Sequence, residues 1–344
     1  MSRFRFRLFA HAALGAAALA VTGAVALAQN LRIPDAPTRI EIEATPITSF
    51  EIRDASRRRF GALEFRGGLE MRSKHRAFGG LSGIAMQQDG GGFLAVTDNG
   101  SWLKARILYR DGAPAAIVDA EIAPLLDADG KPFAARGWFD AESLAQAGDQ
   151  VYVGFERVHA MAKFNFGGQG VLARGQPVTV PPDFATLNFN KSLECIAAVP
   201  ERTPNGGTLI VVSEDSRDGA GNIRAFILDG GKTARFSVRK SDDYDITDCA
   251  VAPPASLLLL ERKFSRATGV AIRLRKVALA SIRAGATVEG PVLLEADMGH
   301  QIDNLEALGI HRDAQGDTIL TLVSDDNFSA IQRTILLQFA LIAP

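Results

Sequence analysis

The chain has 344 residues, with 38 basic and 39 acidic side chains, five histidines and two cysteines. The slightly acidic balance argues against a nucleic-acid partner, for which a basic stripe would be expected. No shift in composition marks a second domain, and the length is sufficient for one large core.

The N-terminus has the three parts of a secretory signal. Arg3, Arg5 and Arg7 precede an apolar run over residues 8–27, which ends in Ala26-Leu27-Ala28. The alternative is a single membrane anchor, but the small-x-small exit favours cleavage before Gln29. We expect a signal peptide at 1–28, a linker at 29–46 and one domain at 47–344, in a periplasmic or secreted protein without later membrane contact.

Five segments downstream repeat one hairpin plan. Each has a short apolar strand with a polar residue at its start, a turn, and a second apolar strand that ends in acids. They are LSGIAMQQDGGGFLAVTDN (81–99), AESLAQAGDQVYVGFER (141–157), LECIAAVPERTPNGGTLIVVSED (193–215), TDCAVAPPASLLLLER (247–262) and LEALGIHRDAQGDTILTLVSDDN (305–327).

Further strands follow each hairpin, so each repeat has about four strands and predicts a β-propeller blade. Asp98 and Asp325 lie four repeats apart, which makes one repeat about 57 residues long. The mature length and two N-terminal strands favour six blades, with five blades as the alternative.

The repeats also bear on the cysteines and histidines. Cys195 and Cys249 each follow the acid of a first strand, in neighbouring copies. Equivalent side chains in a ring of blades point the same way round, so we expect two free, buried thiols. No spacing among the histidines and cysteines indicates a zinc site.

The hairpin geometry predicts a ring of carboxylates at one end of the central channel. In an antiparallel pair, the start of the first strand lies beside the end of the second strand. Four of the five copies carry an acid at both of these places. The starts are Ser82, Glu142, Glu194, Asp248 and Glu306, and the ends are Asp98, Asn99, Glu156, Arg157, Glu214, Asp215, Glu261, Arg262, Asp325, Asp326 and Asn327. Such carboxylates repel one another unless they bind a cation, pair with a base or hold protons. The alternative is a set of separate structural contacts at strand ends.

Eight segments resemble a family of exported bacterial proteins with a phytase-like domain, named for an esterase-like activity of phytase. They are RFGALEFRGGLEMRS, FGGLSGIAM, FLAVTDNGSWLKARI, FDAESLA, VYVGFER, LLLLERKFS, DNLEALGI and VSDDNFSAIQRTILLQF, and they cover residues 60–339. The resemblance implies hydrolysis of carboxylic or phosphoric esters with calcium as a possible cofactor. It supplies no catalytic residues, so the roles below rest on the repeat geometry.

The leading hypothesis is a Ca²⁺-assisted hydrolase of a small, anionic ester, because Ca²⁺ prefers oxygen ligands. The predicted metal ligands are Glu142, Glu194, Glu306, Asp325 and Asp326. Asp248 or Glu214 is the predicted general base, and Arg157 and Arg262 would orient the substrate. Two alternatives stay open: a non-enzymatic binding or assembly propeller with a structural ion, and a lactonase-like calcium propeller. A channel filled by large side chains would favour the non-enzymatic alternative.

Overall fold

The computed structural model describes residues 33–342, which form five sheets with little helix; all strand pairs are antiparallel except one short pair, at residues 237–238 and 287–288. The predicted signal peptide and its cleavage site lie outside the described residues. Within them, no helix is long and apolar enough to cross a membrane. The helical segments are α1 (Phe166–Gln169) and four short 3₁₀ turns at Phe133–Arg136, Gly170–Leu172, Pro182–Thr186 and Leu279–Ser281.

Each sheet is one blade, with the predicted hairpin at its inner edge. Blade 1 contains β1 (Thr38–Arg39), β5 (Leu81–Met86), β6 (Gly92–Thr97), β7 (Ser101–Arg110) and β8 (Ala113–Pro124). Blade 2 contains β9 (Ala141–Ala147), β10 (Gln150–Phe155), β11 (Ala160–Asn165) and β12 (Gln176–Val178). Blade 3 contains β13 (Cys195–Ala198), β14 (Leu209–Arg217), β15 (Ile223–Asp229), β16 (Lys232–Val238) and β20 (Thr287–Val288).

Blades 4 and 5 follow the same plan. Blade 4 contains β17 (Asp245–Ala252), β18 (Ser256–Ser265), β19 (Gly269–Ala278) and β21 (Val292–Ala296). Blade 5 contains β22 (Leu305–Arg312), β23 (Thr318–Ser324) and β24 (Thr334–Leu341), and it is completed by β4 (Leu63–Arg72), β2 (Glu43–Ile47) and β3 (Arg59–Phe60).

The protein is a β-propeller, as predicted, and its five blades match the alternative count rather than the favoured six. The N-terminal strands do not build a sixth blade, because β4 pairs with the C-terminal β24 and closes the ring. In addition, β1 adds to the edge of blade 1 at β8. The segment predicted as a linker therefore already contributes two strands, β1 and β2, to the propeller.

Five apolar clusters fill the interfaces between successive blades, one cluster to each interface. They contain Leu94 and Leu144 between blades 1 and 2, Met161 and Phe226 between 2 and 3, Val212 and Leu257 between 3 and 4, Leu260 and Leu322 between 4 and 5, and Val323 and Phe93 between 5 and 1. Because each inner strand can bury its apolar residues only against its neighbours, the ring closes into one continuous core.

The inner strands share an extra residue near the end where the acids lie. The pairing shifts by one residue between Leu81 and Gly83 in β5, between Ile246 and Asp248 in β17, and between Leu305 and Ala307 in β22. The corresponding bulge in β9 leaves out Glu142. The bulged residues Ser82, Glu142, Thr247 and Glu306 are therefore structural equivalents.

This register corrects the alignment of blade 4 by one residue. Thr247, not Asp248, occupies the position of Glu306. On the second strand, Glu261 pairs with Ile246 as Ser324 pairs with Leu305. The residue after Glu261 is Arg262, which therefore occupies the position of Asp325.

The same offset explains why the prediction of two free thiols is wrong. Cys195 and Cys249 form a disulfide with their Cα atoms 5.2 Å apart. Cys195 pairs with Val212, whereas Cys249 lies one position further along its own strand and pairs with Leu259. A slip of one residue turns a side chain to the opposite face of a strand, so the two sulfurs face each other across the interface of blades 3 and 4.

We expect the disulfide to contribute about 4 kcal/mol to the free energy of unfolding, because it closes a long loop in the unfolded chain. The sequence separation of the two cysteines is 54 residues. Denaturant unfolding of the parent and of the Cys195→Ala/Cys249→Ala double variant measures this contribution. Quantitative labelling of both thiols in denatured, unreduced parent protein would contradict the bridge.

Candidate active site at the acidic mouth

Seven acids converge where the inner strands begin and the second strands end. They are Asp98, Glu142, Glu156, Glu194, Glu214, Glu306 and Asp325, and we call this group, with Asp140 and Arg262, the acidic mouth. One backbone contact recurs in four blades. The N–H groups of Asp98, Glu156, Glu214 and Asp325 donate to the carbonyls of Gly80, Asp140, Ser192 and Asn304, at 3.0, 2.9, 3.1 and 2.9 Å.

Two overlapping groups of carboxylates lie within the acidic mouth. Oxygen atoms of Asp140, Glu142 and Glu156 all lie within 4.8 Å of one another, and the same holds for Glu156, Glu194 and Glu214. Glu156 belongs to both groups and also accepts a hydrogen bond of 2.8 Å from the backbone N–H of Ser192. Blades 2 and 3 therefore supply a continuous set of oxygen ligands.

The crowding raises the pKa values of these acids. Burial is the main cause for Glu142 and Glu194, whose pKa values rise well above the usual range, and repulsion by neighbouring acids adds to it. Burial and the charges of Asp140 and Glu306 raise the pKa of Asp98 to about 8. Without a cation, part of the acidic mouth is therefore protonated at neutral pH.

Glu214 and Asp325 also have raised pKa values. Burial raises the pKa of Glu214 to about 7, although the nearby Lys191 ammonium lowers it in part. The distance from Lys191 Nζ to Glu214 Oε1 is 3.4 Å, and Lys191 also binds Asp245 at 2.6 Å. Burial and the charge of Glu306 raise the pKa of Asp325 well above its usual range.

Arg262 is the cation that enters the acidic mouth. Its Nη1 lies 3.0 Å from Glu306 Oε1 and also contacts the side-chain oxygen of Asn304, while its Nη2 lies 3.9 Å from Glu214 Oε1. Arg157 lies further out, where it pairs with Asp140 and covers the ring of Phe139. Both arginines predicted to bind substrate are thus at this end of the channel.

Two predicted members of the ring lie elsewhere, because the register of blade 4 is offset. Asp248 is buried in the interface with blade 5, where its carboxylate accepts the N–H groups of Cys249 (2.7 Å) and Leu308 (2.6 Å). Burial raises its pKa well above the usual range despite these bonds. Glu261 is buried inside blade 4 and binds Arg273 and Arg275.

Four flanking residues stabilise loops at this end. Asp326 accepts the N–H groups of Gly80 and Phe328 and the hydroxyl of Thr334, each at 3.0 Å. Asp215 pairs with Arg217 and Lys240. The N–H group of Asn99 donates to the preceding Asp98, and that of Asn327 donates to Asp325, two residues before it.

Asp140 was missed by the sequence reasoning. It precedes β9 with a left-handed φ of 62°, which allows its N–H to donate to Asp98 and its carbonyl to accept from Glu156. The segment FDAESLA contains it directly before the predicted strand start. A search for acids one residue before each first strand would have found it.

A cavity lies at the end of the channel opposite the acidic mouth. Its volume is about 570 Å³, and it is lined by residues of all five inner strands. The residue at one equivalent position of each strand is small: Ala85, Ala145, Ala197, Ala250 and Gly309. Larger side chains, such as Met86 and Ile310, also contribute to this lining.

We expect the cation-free protein to lose stability as the pH rises from 5.5 to 8. The folded state holds a proton on Asp98 up to a pKa of about 8, whereas the unfolded chain releases it near pH 4. Asp98→Asn should flatten this decline, since an amide does not ionise. Thermal melts in chelator measure the effect, with the exposed Asp129→Asn as control. Identical pH profiles for the parent and Asp98→Asn would contradict the raised pKa.

Some solved structures of known proteins resemble the chain distantly. An α-L-arabinofuranosidase from Podospora anserina in complex with cellotriose is 11% identical, with a TM-score of 0.47 over 89% of this chain and 98% of that chain. A PQQ-bound aldose sugar dehydrogenase from Streptomyces coelicolor is 13% identical, with a TM-score of 0.40 over 89% and 99%. These likenesses are too distant to carry a functional argument.

No curated protein matches the chain in sequence. A family model does match, and it spans residues 76–328, from just before β5 to the loop after β23. This range includes every residue of the acidic mouth. The chain belongs to the Phytase-like family, described as having the esterase-like activity of phytase.

Proposed function

We propose that the acidic mouth is the active site of an exported, Ca²⁺-assisted hydrolase of anionic carboxylic or phosphoric esters. The observation that carries the proposal is the pair of carboxylate groups that share Glu156. Membership of the Phytase-like family supports ester hydrolysis as the reaction. The proposed catalytic domain is the single propeller, from β1 at Thr38 to the end of β24 at Leu341.

The donor set fits a hard divalent cation. Ca²⁺ binds six to eight oxygens at about 2.3–2.6 Å, so two oxygens on one ion lie at most about 5 Å apart. The carboxylate oxygens within each group already satisfy this limit, at 4.8 Å or less. Asp140, Glu142, Glu156, Glu194 and Glu214 are therefore the proposed ligand candidates.

This set differs in part from the one proposed from sequence. Glu142 and Glu194 are common to both. Glu306 already binds Arg262 and Asn304, and Asp326 accepts three hydrogen bonds within its own loop. Asp325 stays near the site as a buried carboxyl beside Glu306.

A bound Ca²⁺ would polarise the ester and lower the pKa of a coordinated water. The remaining chemistry belongs to side chains of the chain. Glu214, with a pKa of about 7, is matched to proton transfer near neutral pH. If Glu214 serves as the base, the other four carboxylates hold the cation. Arg262 presents a planar guanidinium, which can bind a carboxylate or phosphate through two hydrogen bonds.

We expect calcium to raise the melting temperature, because a ligand bound only by the native state stabilises it. At a hundredfold excess over the dissociation constant, the gain in unfolding free energy is about 2.7 kcal/mol. Glu194→Gln should remove most of this response, whereas the exposed Glu41→Gln should leave it intact. Equal melting curves in calcium and chelator for the parent would contradict the cation site. Stabilisation without turnover of any ester would instead favour the non-enzymatic alternative.

We expect Glu214→Gln and Arg262→Lys to affect different kinetic constants. Removing a general base lowers kcat by about 10²–10⁴-fold, so Glu214→Gln should do so with little change in KM. Arg262→Lys keeps the charge but loses the planar fork, and should chiefly raise KM for anionic esters. Steady-state kinetics on an anionic and a neutral ester separates the two roles. A KM increase of the same size for both esters would contradict the anion-binding role of Arg262.

A further inference from the structure

Exposed apolar side chains surround the charged site. Among the described residues, ten large apolar side chains are exposed, and six lie on loops or strand ends at the end of the propeller where the acidic mouth opens. These six are Ile52, Val158, Phe189, Phe264, Met298 and Ile331. We call these six the apolar rim, because charged groups with apolar surroundings are a usual composition of a site for a small amphiphilic ligand.

Phe264 is the rim residue that lies in line with Arg262. The two residues are separated by one position in β18, and side chains two apart lie on the same face of a strand. The intervening Lys263 lies on the opposite face, where its Nζ is 4.4 Å from the centroid of the Tyr244 ring. Arg262 and Phe264 therefore both face blade 5.

Phe264 belongs to a small apolar surface on the same face of β18 as Arg262. It pairs across the hairpin with Val270, which is half-buried against the core between blades 4 and 5, and 70% of Phe264 is exposed. We call Phe264 and Val270 the apolar shelf. The backbones of Arg262 and Phe264 are about 7 Å apart along the strand, so a ligand that binds Arg262 and also contacts the shelf needs an apolar group larger than a methyl.

We infer that the acidic mouth selects amphiphilic esters, in which an anionic group binds Arg262 and an aryl or alkyl group lies on the apolar shelf. This inference rests on the proposed function and names its substrate class. A naphthyl group has the apolar area to cover Phe264, which a methyl group lacks.

The test compares two phosphonates that cannot be hydrolysed as esters, measured by calorimetry in the presence of Ca²⁺. Naphthylphosphonate should bind the parent roughly tenfold more tightly than methylphosphonate, because part of the ring leaves water on the shelf. Phe264→Ser should abolish this difference. Leu172→Ser is the control, because Leu172 is also exposed (53%) and is not part of this rim.

Leu172→Ser should keep the preference for the naphthyl compound. Equal affinities of the parent for the two phosphonates, or an equal loss in Phe264→Ser and Leu172→Ser, would overturn the inference. Hydrolysis distinguishes this failure from failure of the proposed function. If the parent and Phe264→Ser hydrolyse naphthyl esters with equal kcat/KM, the inference fails and the proposed function stands. If Phe264-dependent binding occurs without turnover, the proposed function fails and the selective site stands.

Discussion

The extra residue near the start of the inner strands is the constraint on which the rest of the structure depends. A bulge reverses the side to which all following side chains point, so its position decides which residues meet at the mouth and which face the next blade. In blade 5 it presents Glu306 to the mouth, and in blade 4 it presents Thr247 at the same position. The offset in blade 4 also brings Arg262 into a position that is acidic in the other four blades.

This arrangement concentrates carboxylates at the acidic mouth, and contacts between the inner strands of neighbouring blades hold them there. Adjacent inner strands are joined by the Ser143 hydroxyl to the Leu193 carbonyl at 2.6 Å, by the disulfide, and by Asp248 to the Leu308 N–H. Ser143, Cys195 and Asp248 occupy the same position of their strands, and this position faces the next blade. Because the contacts fix the inner strands, the carboxylates cannot move apart to relieve their repulsion. Raised pKa values are the consequence, and a cation or shared protons must compensate the charge.

Most of the architecture was predictable from the sequence because the hairpin repeats are local. Alternating apolar residues, turn residues and terminal acids recur in each copy, and they predict that Glu142, Glu194 and Glu306 lie at one end of the channel. The number of blades was harder to predict from the sequence, since nothing in the N-terminal strands signals that β4 pairs with the distant β24. Long-range pairing of this kind leaves no periodic trace in either segment.

The errors at the site have one origin. The letters Glu-Arg end both the second and the fourth hairpin, so an alignment by letters equates Glu156 with Glu261. The strand pairing instead makes Arg262 the equivalent of Glu156. The same one-residue offset in blade 4 means that Asp248 does not face the mouth and that Cys249 faces Cys195. No residue type reliably marks a one-residue bulge in a sequence, so only the backbone pairing reveals it.

The central claim is that the acidic mouth exchanges protons for a divalent cation. Calorimetric titration of Ca²⁺ at pH 7, in two buffers that differ in ionisation enthalpy, counts the protons released for each ion bound. The account predicts release from carboxyls with raised pKa values, which include Asp98 at about 8. Binding without proton release, or no binding at all, would contradict it.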